Sequence, residues 1–250
     1  MPTNALDLAR QHLAAARNTV VLTGSGVSAE SQIPTFRDAR GDGSMKALWA
    51  EFDPETLATP EAYEANPELV TRWYDWRRLK CLDAQPNPGH IALAQLQQRA
   101  VQQGRAFTLL TQNVDGLHQR AGSDPVIELH GTIMQWRGVR TETPATLPDG
   151  PFTEFPPTLP TGEPLRPAVV WFGENLPEDA VVAALEALRT CDLFLSIGTS
   201  SVVYPAAGLI HAARQAGATT IEINPDATPI TGIVDIALRG KSGEILPQLL

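Results

Sequence analysis

Residues 19–42, TVVLTGSGVSAESQIPTFRDARGD, decide how the chain folds. Residues 19–23 are a short apolar, β-branched run that reads as a strand. They lead directly into Gly24-Ser25-Gly26-Val27-Ser28-Ala29, the G-x-G-x-x-G/A spacing of a dinucleotide loop. In such a loop Gly24 permits a sharp turn, Gly26 lets the backbone approach a pyrophosphate, and small Ala29 lets the next helix pack on the strand. Backbone N–H groups at the start of that helix then hold the anion. Taken alone, the pattern is equally an ordinary tight turn between strand and helix. Ile33-Pro34-Thr35-Phe36-Arg37-Asp38 adds chemistry: the Arg37 guanidinium can pair with phosphate oxygens, and Phe36 can lie over a flat ring.

The rest of the chain extends this start into an α/β fold, a Rossmann-like parallel sheet with helices on both faces. Strands are expected at 107–111, 126–129, 192–197 and 220–223, with an edge strand at 234–238. Each of the first four ends in a polar cluster: Gln112-Asn113-Val114-Asp115, His130-Gly131, Gly198-Thr199-Ser200-Ser201 and Asn224-Pro225-Asp226. Ligands of an open parallel sheet sit beyond the carboxyl ends of its strands, so these clusters should meet the glycine loop in one crevice. A helix capped by Asn4 precedes the first strand, helices at 91–103, 177–189 and 205–215 cover the sheet, and a short helix closes the chain at 245–250. No second strand ending in Asp or Glu follows the glycines by about 20 residues, which argues against a hydride-transfer fingerprint.

Two segments interrupt the pattern. Residues 39–83 contain helical pieces broken by prolines, then a helix at 68–83 with Leu69, Trp73 and Trp76 as its apolar stripe. Residues 131–165 are proline-rich and poor in aliphatic periodicity. The expected organisation is therefore a Rossmann-like unit over 1–38, 84–130 and 166–250, with a small domain inserted as 39–83 and 131–165. The prolines, or packing by Trp136, Phe152 or Phe155, would order the second insert.

Composition narrows the function. The chain has 250 residues, 43% of them hydrophobic, and a net charge of -9, so it is no general nucleic-acid or anionic-membrane binder. No apolar run reaches the ~18 residues of a membrane helix, and residues 1–13 lack the apolar centre of a signal peptide, so a cytoplasmic location is expected. With only Cys81 and Cys191 there is no disulfide framework and no four-cysteine zinc site.

The opening stretch resembles the first motif of the sirtuins, the NAD-dependent protein deacylases, usually GAGxSxxSGIPxFR. Here Ser25 replaces alanine and Gln32 replaces glycine. TQNVDGLHQRAG at 111–122, ELHG at 128–131, VVWFGE at 169–174, GTSSVVYPA at 198–206 and IN at 223–224 extend the resemblance over nearly the whole chain. It implies NAD as cofactor. Gly24, Ser25, Gly26 and Arg37 would hold its phosphates, with Ser28, Ala29, Gln112, Gly198 and Thr199 lining the same cofactor site. Ser200 and Asn224 would lie on the adenosine side. Asn113 and Asp115 would serve the nicotinamide pocket with Ile33, Phe36 would shield the reacting sugar, and His130 would be the general base, with Asn113 beside it in catalysis. A neutral imidazole suits that proton transfer near pH 7.

The same resemblance implies an acyl-lysine protein or peptide as substrate, with Val170, Trp171, Phe172, Gly173 and Glu174 pairing with its backbone. Tyr74 and Arg77, three apart on a helix, resemble the Y-x-x-R pair of the sirtuins that remove succinyl and malonyl groups, and Ala58 resembles their pocket-widening small residue. Succinyl and malonyl are therefore the expected acyl groups, with acetyl still fitting. Read without the resemblance, Arg77 and Arg78 form a solvated helix face. Sirtuins usually carry two CxxC pairs where this chain has 131–165, and no cysteine stands there, so no metal is expected. His90 and His118 read as structural. The alternatives are mono-ADP-ribosyl transfer and a non-catalytic NAD or ADP-ribose sensor.

Overall fold

The computed structural model describes residues 4–33 and 54–250. The chain runs α1 (Ala5–Ala15), β1 (Asn18–Thr23), α2 (Ser25–Ser28), α3 (Pro54–Leu57), α4 (Pro60–Ala65), α5 (Pro67–Asp83), α6 (Pro88–Gln102), β2 (Ala106–Thr111), α7 (Leu117–Arg120), β3 (Val126–Glu128), β4 (Gly131–Gly138), β5 (Leu165–Val169), α8 (Glu178–Arg189), β6 (Leu193–Ile197), α9 (Leu209–Gln215), β7 (Thr219–Asn224), β8 (Ile236–Arg239) and α10 (Ser242–Ile245). Asn4 caps α1 through the Leu6 N–H. Asn66 and Asn87 cap α5 and α6, each followed by proline at the first helical position, where the missing N–H costs nothing.

Six strands form one parallel sheet in the order β3-β2-β1-β6-β7-β8, with β8 at its edge. Side chains alternate between faces. Val21, Leu109, Leu195, Ile197, Ile221 and Ile223 pack with Ala9 of α1 and Leu93 and Leu96 of α6. Val20, Leu22, Leu110 and Phe194 pack on the other face with Ala184 and Leu188 of α8 and Ile210 and Ala213 of α9. The strand order reverses between β1 and β6, which opens a crevice at their carboxyl ends.

A third core lies outside this sheet. Residues 131–165 are not a loop throughout: β4 pairs antiparallel with β5, with a register shift between Thr132 and Trp136. That bulge breaks the alternation that would have marked β4 as a strand. Ile133, Trp136, Leu165 and Val169 pack against Leu57, Ala58, Tyr63, Val70, Trp73, Tyr74 and Trp171. The apolar stripe of α5 is therefore Val70, Trp73, Tyr74 and Cys81. Leu69 and Trp76, read as stripe residues from the sequence, are only half-buried. α5 is covered over a wide arc by β4 and the 148–152 segment, so no single period describes it.

Rings and guanidinium groups order the 139–164 segment. Phe152 meets Trp136 edge-on at 4.8 Å between centroids, and Arg72 lies 4.3 Å over Phe155. Glu163 accepts the backbone N–H groups of Arg140 at 2.6 Å and Thr141 at 2.9 Å, bonds that hold its carboxyl below the usual range. No helix among the described residues is long and apolar enough to cross a membrane.

Candidate active site

The glycine loop meets the end of β6 backbone to backbone. Gly24 N donates to Ile197 O at 3.0 Å, Gly26 N to Gly198 O at 2.8 Å and Val27 N to Gly24 O at 3.0 Å. A Cβ on Gly26 would fall 2.7 Å from Gly198 O, and one on Gly198, whose φ is +59°, would fall 2.6 Å from Val27 N. These glycines are required by the contact between the two loops, a reason different from the sequence expectation. Gly24 is extended (φ -129°, ψ -174°), and its N–H, like those of Gly26 and Val27, is held by a protein carbonyl. Ala29 does not pack the helix on the strand. It is exposed at the end of a single α-turn, and Val27 and Ser28 are the buried residues.

Beneath the loop lies a chain of buried polar groups. Asn113 Nδ2 donates to Gly24 O and to Ser28 Oγ, both at 3.1 Å, and Ser28 Oγ donates to Asp115 Oδ2 at 2.6 Å. Asp115 Oδ1 accepts the Leu117 N–H at 2.9 Å. Burial nevertheless pushes the Asp115 carboxyl up, against the pull of Ser28, Leu117, Arg77 and Arg120. His90 Nδ1 accepts the Asn87 N–H at 3.3 Å, which leaves Nε2 protonated and facing Ser28 Oγ at 3.4 Å. His118 Nε2 lies 2.9 Å from Thr23 Oγ1, and the rings of His90 and His118 meet at 4.8 Å. Burial lowers these two imidazoles to about 4 and about 3, so both are neutral.

Asn87, His90, His118, Thr23 and Thr111 were not singled out for the site from the sequence. Asn87 caps the helix that starts at Pro88, and its side chain and that of His90 are thereby polar atoms in a fixed place.

His130 stands where the parallel sheet hands the chain to β4. Its Nδ1–H donates to Gln112 O at 3.1 Å, and its own carbonyl accepts the Val170 N–H at 2.9 Å. The tautomer therefore carries its free lone pair on Nε2. Burial lowers its pKa, partly offset by the Gln112 bond, so the ring is a neutral base at pH 7. Gly131 follows with φ +70°, and a Cβ there would fall 2.2 Å from Ala168 O. Only glycine fits this corner.

At the ends of β2, β6 and β7, Gln112 Nε2 donates to Thr199 Oγ1 at 3.0 Å and Asn224 Nδ2 donates to Thr199 O at 2.9 Å. The ends of β2, β6 and β7 are thereby joined at the crevice mouth. Ser25, Ser200 and Asn224 are half-buried there, and Ile33 packs against the third core. Phe36 and Arg37 lie outside the described residues.

Next to β5, residues 170–174 form a turn rather than a strand. Arg166 holds it: its guanidinium grips Glu174 at 2.6 and 2.8 Å and lies 3.5 Å over the Trp171 ring. Burial works against the Glu174 charge, but the bonds from Arg166 and the Trp171 N–H win and hold its carboxyl low. Phe172 N donates to Ala58 O at 2.8 Å, and the Trp171 ring lies 6.4 Å from Tyr74. Phe172 and Gly173 are exposed. Tyr74 is buried, which pushes its phenol up to about 12 and keeps it a donor. The Arg77 guanidinium lies 4.6 Å over the Trp73 ring and 5.8 Å from that of Tyr74. Arg78 is not on a solvated face; it is buried.

The crevice suits a dinucleotide, because it sits at the strand-order reversal, beyond the carboxyl ends of β1 and β6. A thiolate metal does not suit the 131–165 segment. It contains no cysteine, its buried Glu163 is occupied by backbone donors, and Cys81 and Cys191 are buried elsewhere. Burial pushes these thiols up to about 12 and about 11, which makes neither an activated nucleophile.

Residues 24–205 match the model of the Sir2 family. The chain belongs to that family, a class of α/β proteins with a dinucleotide crevice. It is 48% identical to "NAD-dependent protein deacylase 2" of Pyrobaculum aerophilum over 95% of this chain and 92% of that one. A crystal structure of a Sir2 homologue in complex with NAD superposes with a TM-score of 0.88 at 43% identity, over 97% of this chain and 91% of the other. A Sir2 variant bound to a deacetylated p53 peptide and 3'-O-acetyl ADP-ribose superposes with a TM-score of 0.82 at 30% identity, over 98% and 96%.

Proposed function

We propose that this chain is an NAD-dependent protein-lysine deacylase that removes succinyl and malonyl groups and also accepts acetyl. The observation that carries the deacylase reading is His130, a neutral imidazole fixed by Gln112 O with Nε2 free beside the crevice. When bound, NAD would supply a ribose carbon as acceptor for the acyl oxygen, with nicotinamide as the leaving group. Gly24, Gly26, Gly198, Thr199, Ser200 and Asn224 would hold it, with Ser25, Ser28, Gln112 and Arg37. Asn113 and Asp115 would face the nicotinamide end, where Asn113 is already fixed by Gly24 O and Ser28. His130 Nε2 would take the proton of a ribose hydroxyl. No side-chain nucleophile is needed.

The turn at 170–174 would add the substrate backbone as a strand, which explains its exposed Phe172 and Gly173. The acidic-acyl reading rests on Ala58, Tyr74 and Arg77. Their turn and helix are joined by Phe172 and Trp171, the phenol remains a donor, and the guanidinium stands beside it. A guanidinium fork takes a carboxylate bidentately. We further read residues 39–83 and 131–165 as the small domain, the segment at 131–165 as zinc-free, and the cytoplasm as the location.

The test is one peptide carrying acetyl, succinyl or malonyl on lysine, incubated with NAD and followed by mass. Release of nicotinamide with loss of the acyl mass, fastest for the acidic groups, is expected. Transfer of ADP-ribose to protein, or binding without nicotinamide release, would replace this reading with one of the alternatives.

A further inference from the structure

Asp75 and Arg78 each follow Tyr74 and Arg77 by one residue on α5, about 100° further round the helix. Each is 2% exposed. Arg78 Nε and Nη2 donate to Asp75 Oδ1 at 3.0 and 2.7 Å, Nη1 donates to Pro148 O at 3.1 Å, and Nη2 also reaches Gly150 O at 2.6 Å. Asp75 Oδ2 accepts the Phe152 N–H at 3.0 Å, and the guanidinium lies 5.0 Å over the Phe152 ring. A buried ion pair within one helix is a poor stabiliser, because desolvation consumes most of its attraction. This one is aimed elsewhere. Both partners hold the backbone of 148–152, so the pair latches the second insert onto the turn of α5 that carries Tyr74 and Arg77.

We propose that the Asp75–Arg78 latch is a positioning device for acyl selectivity, fixing Tyr74 and Arg77 against the zinc-less insert. The inference rests on the acidic-acyl reading. His130, Asn113 and Ala58 are fixed by other bonds, to Gln112 O, Gly24 O and Phe172 N. Tyr74 and Arg77 project from α5 and move with it, Tyr74 packed on Trp73 and Trp171 and Arg77 over the Trp73 ring. A fork that must meet a carboxylate tolerates little displacement, whereas an acetyl group makes no such demand.

The experiment compares full-length wild type, Arg77→Met, Arg78→Met, Arg78→Lys and Asp75→Asn. It reads kcat and KM for one peptide bearing succinyl or acetyl, and KM for NAD. Arg78→Met should lower the succinyl-to-acetyl ratio of kcat/KM about tenfold, mostly through KM of the succinyl peptide, with KM for NAD unchanged. Arg78→Lys, which keeps the charge, should recover part of the ratio. Should Arg78→Met fail to fold, Asp75→Asn, which still offers an acceptor to Phe152, carries the same expectation. An unchanged ratio in a folded latch variant, while Arg77→Met lowers it, overturns the latch alone. A wild type that ignores succinyl, or an Arg77→Met variant with an unchanged ratio, overturns the acidic pocket and the latch together.

Discussion

The two halves of the crevice are built differently. On the side of the parallel sheet, the frame is set by backbone, through strand register, loops that touch at Gly26 and Gly198 and hydrogen bonds such as Gly26 N–H to Gly198 O, and the buried Asn113–Ser28–Asp115 chain hangs from that frame. On the side of the small antiparallel pair, groups are placed by side chains: Arg166 on Glu174 and Trp171, Arg78 on Asp75 and two carbonyls, and Phe152 on Trp136. Backbone placement tolerates sequence change except where two backbones touch, as at Gly26 and Gly198. Placement by side chains can be retuned one residue at a time. The chemistry shared by a family fits the first kind of support and the choice of acyl group fits the second.

Four outcomes would break or sharpen this contrast, two on the reacting groups and two on stability. The largest concerns the sheet side. His130→Ala should fold and bind NAD but lose deacylation of every acyl group alike, by about 10²–10⁴ in rate. Turnover within a few fold of wild type would remove the base from that side.

Acid should weaken the sheet side next. The folded-state pKa values of His90 and His118, about 4 and about 3, lie below the ordinary 6.5, so the unfolded chain binds more protons than the folded one as pH falls below 6.5. Stability should fall with pH from 6.5 toward 4, by about 1.4 kcal/mol per pH unit for each histidine once within that window. Urea midpoints at pH 7 and pH 5 measure it. Equal midpoints would mean that the two imidazoles are not buried neutral.

The smallest effect concerns Gln32. It occupies the left-handed region (φ 63°, ψ 19°) at the position where the family motif usually has glycine. A side chain there costs about 1 kcal/mol, so Gln32→Gly should raise stability by no more than that, since glycine also loosens the unfolded chain. A lowered melting temperature would show that the Gln32 side chain contributes contacts that outweigh its backbone strain.

Legibility in the sequence follows the same division. β1, β2 and β6 are largely apolar runs and β7 alternates Ile221 and Ile223 with polar residues, so the strands and the polar clusters beyond their ends could be read, and the crevice with them. β4 could not, because its bulge spoils the alternation. Arg78 and Asp75 could not, because charged residues on a helix ordinarily face water, and nothing local reveals that a proline-rich segment will cover them. His90 and His118 read as structural, because nothing local shows that Ser28 and Thr23 will meet their rings. The reason for the glycines could not be read in full, since the partner that crowds them, Gly198, is distant in sequence.

The most direct test of the division of labour sets Arg77→Met beside His130→Ala on succinyl and acetyl forms of one peptide. Loss of one charge-assisted bond costs ~1.5–3 kcal/mol. Arg77→Met should therefore cut desuccinylation at least about tenfold while lowering deacetylation far less, whereas His130→Ala lowers both together. Equal losses for the two acyl groups in Arg77→Met would contradict the account, because selectivity would then not reside in the region held by side chains.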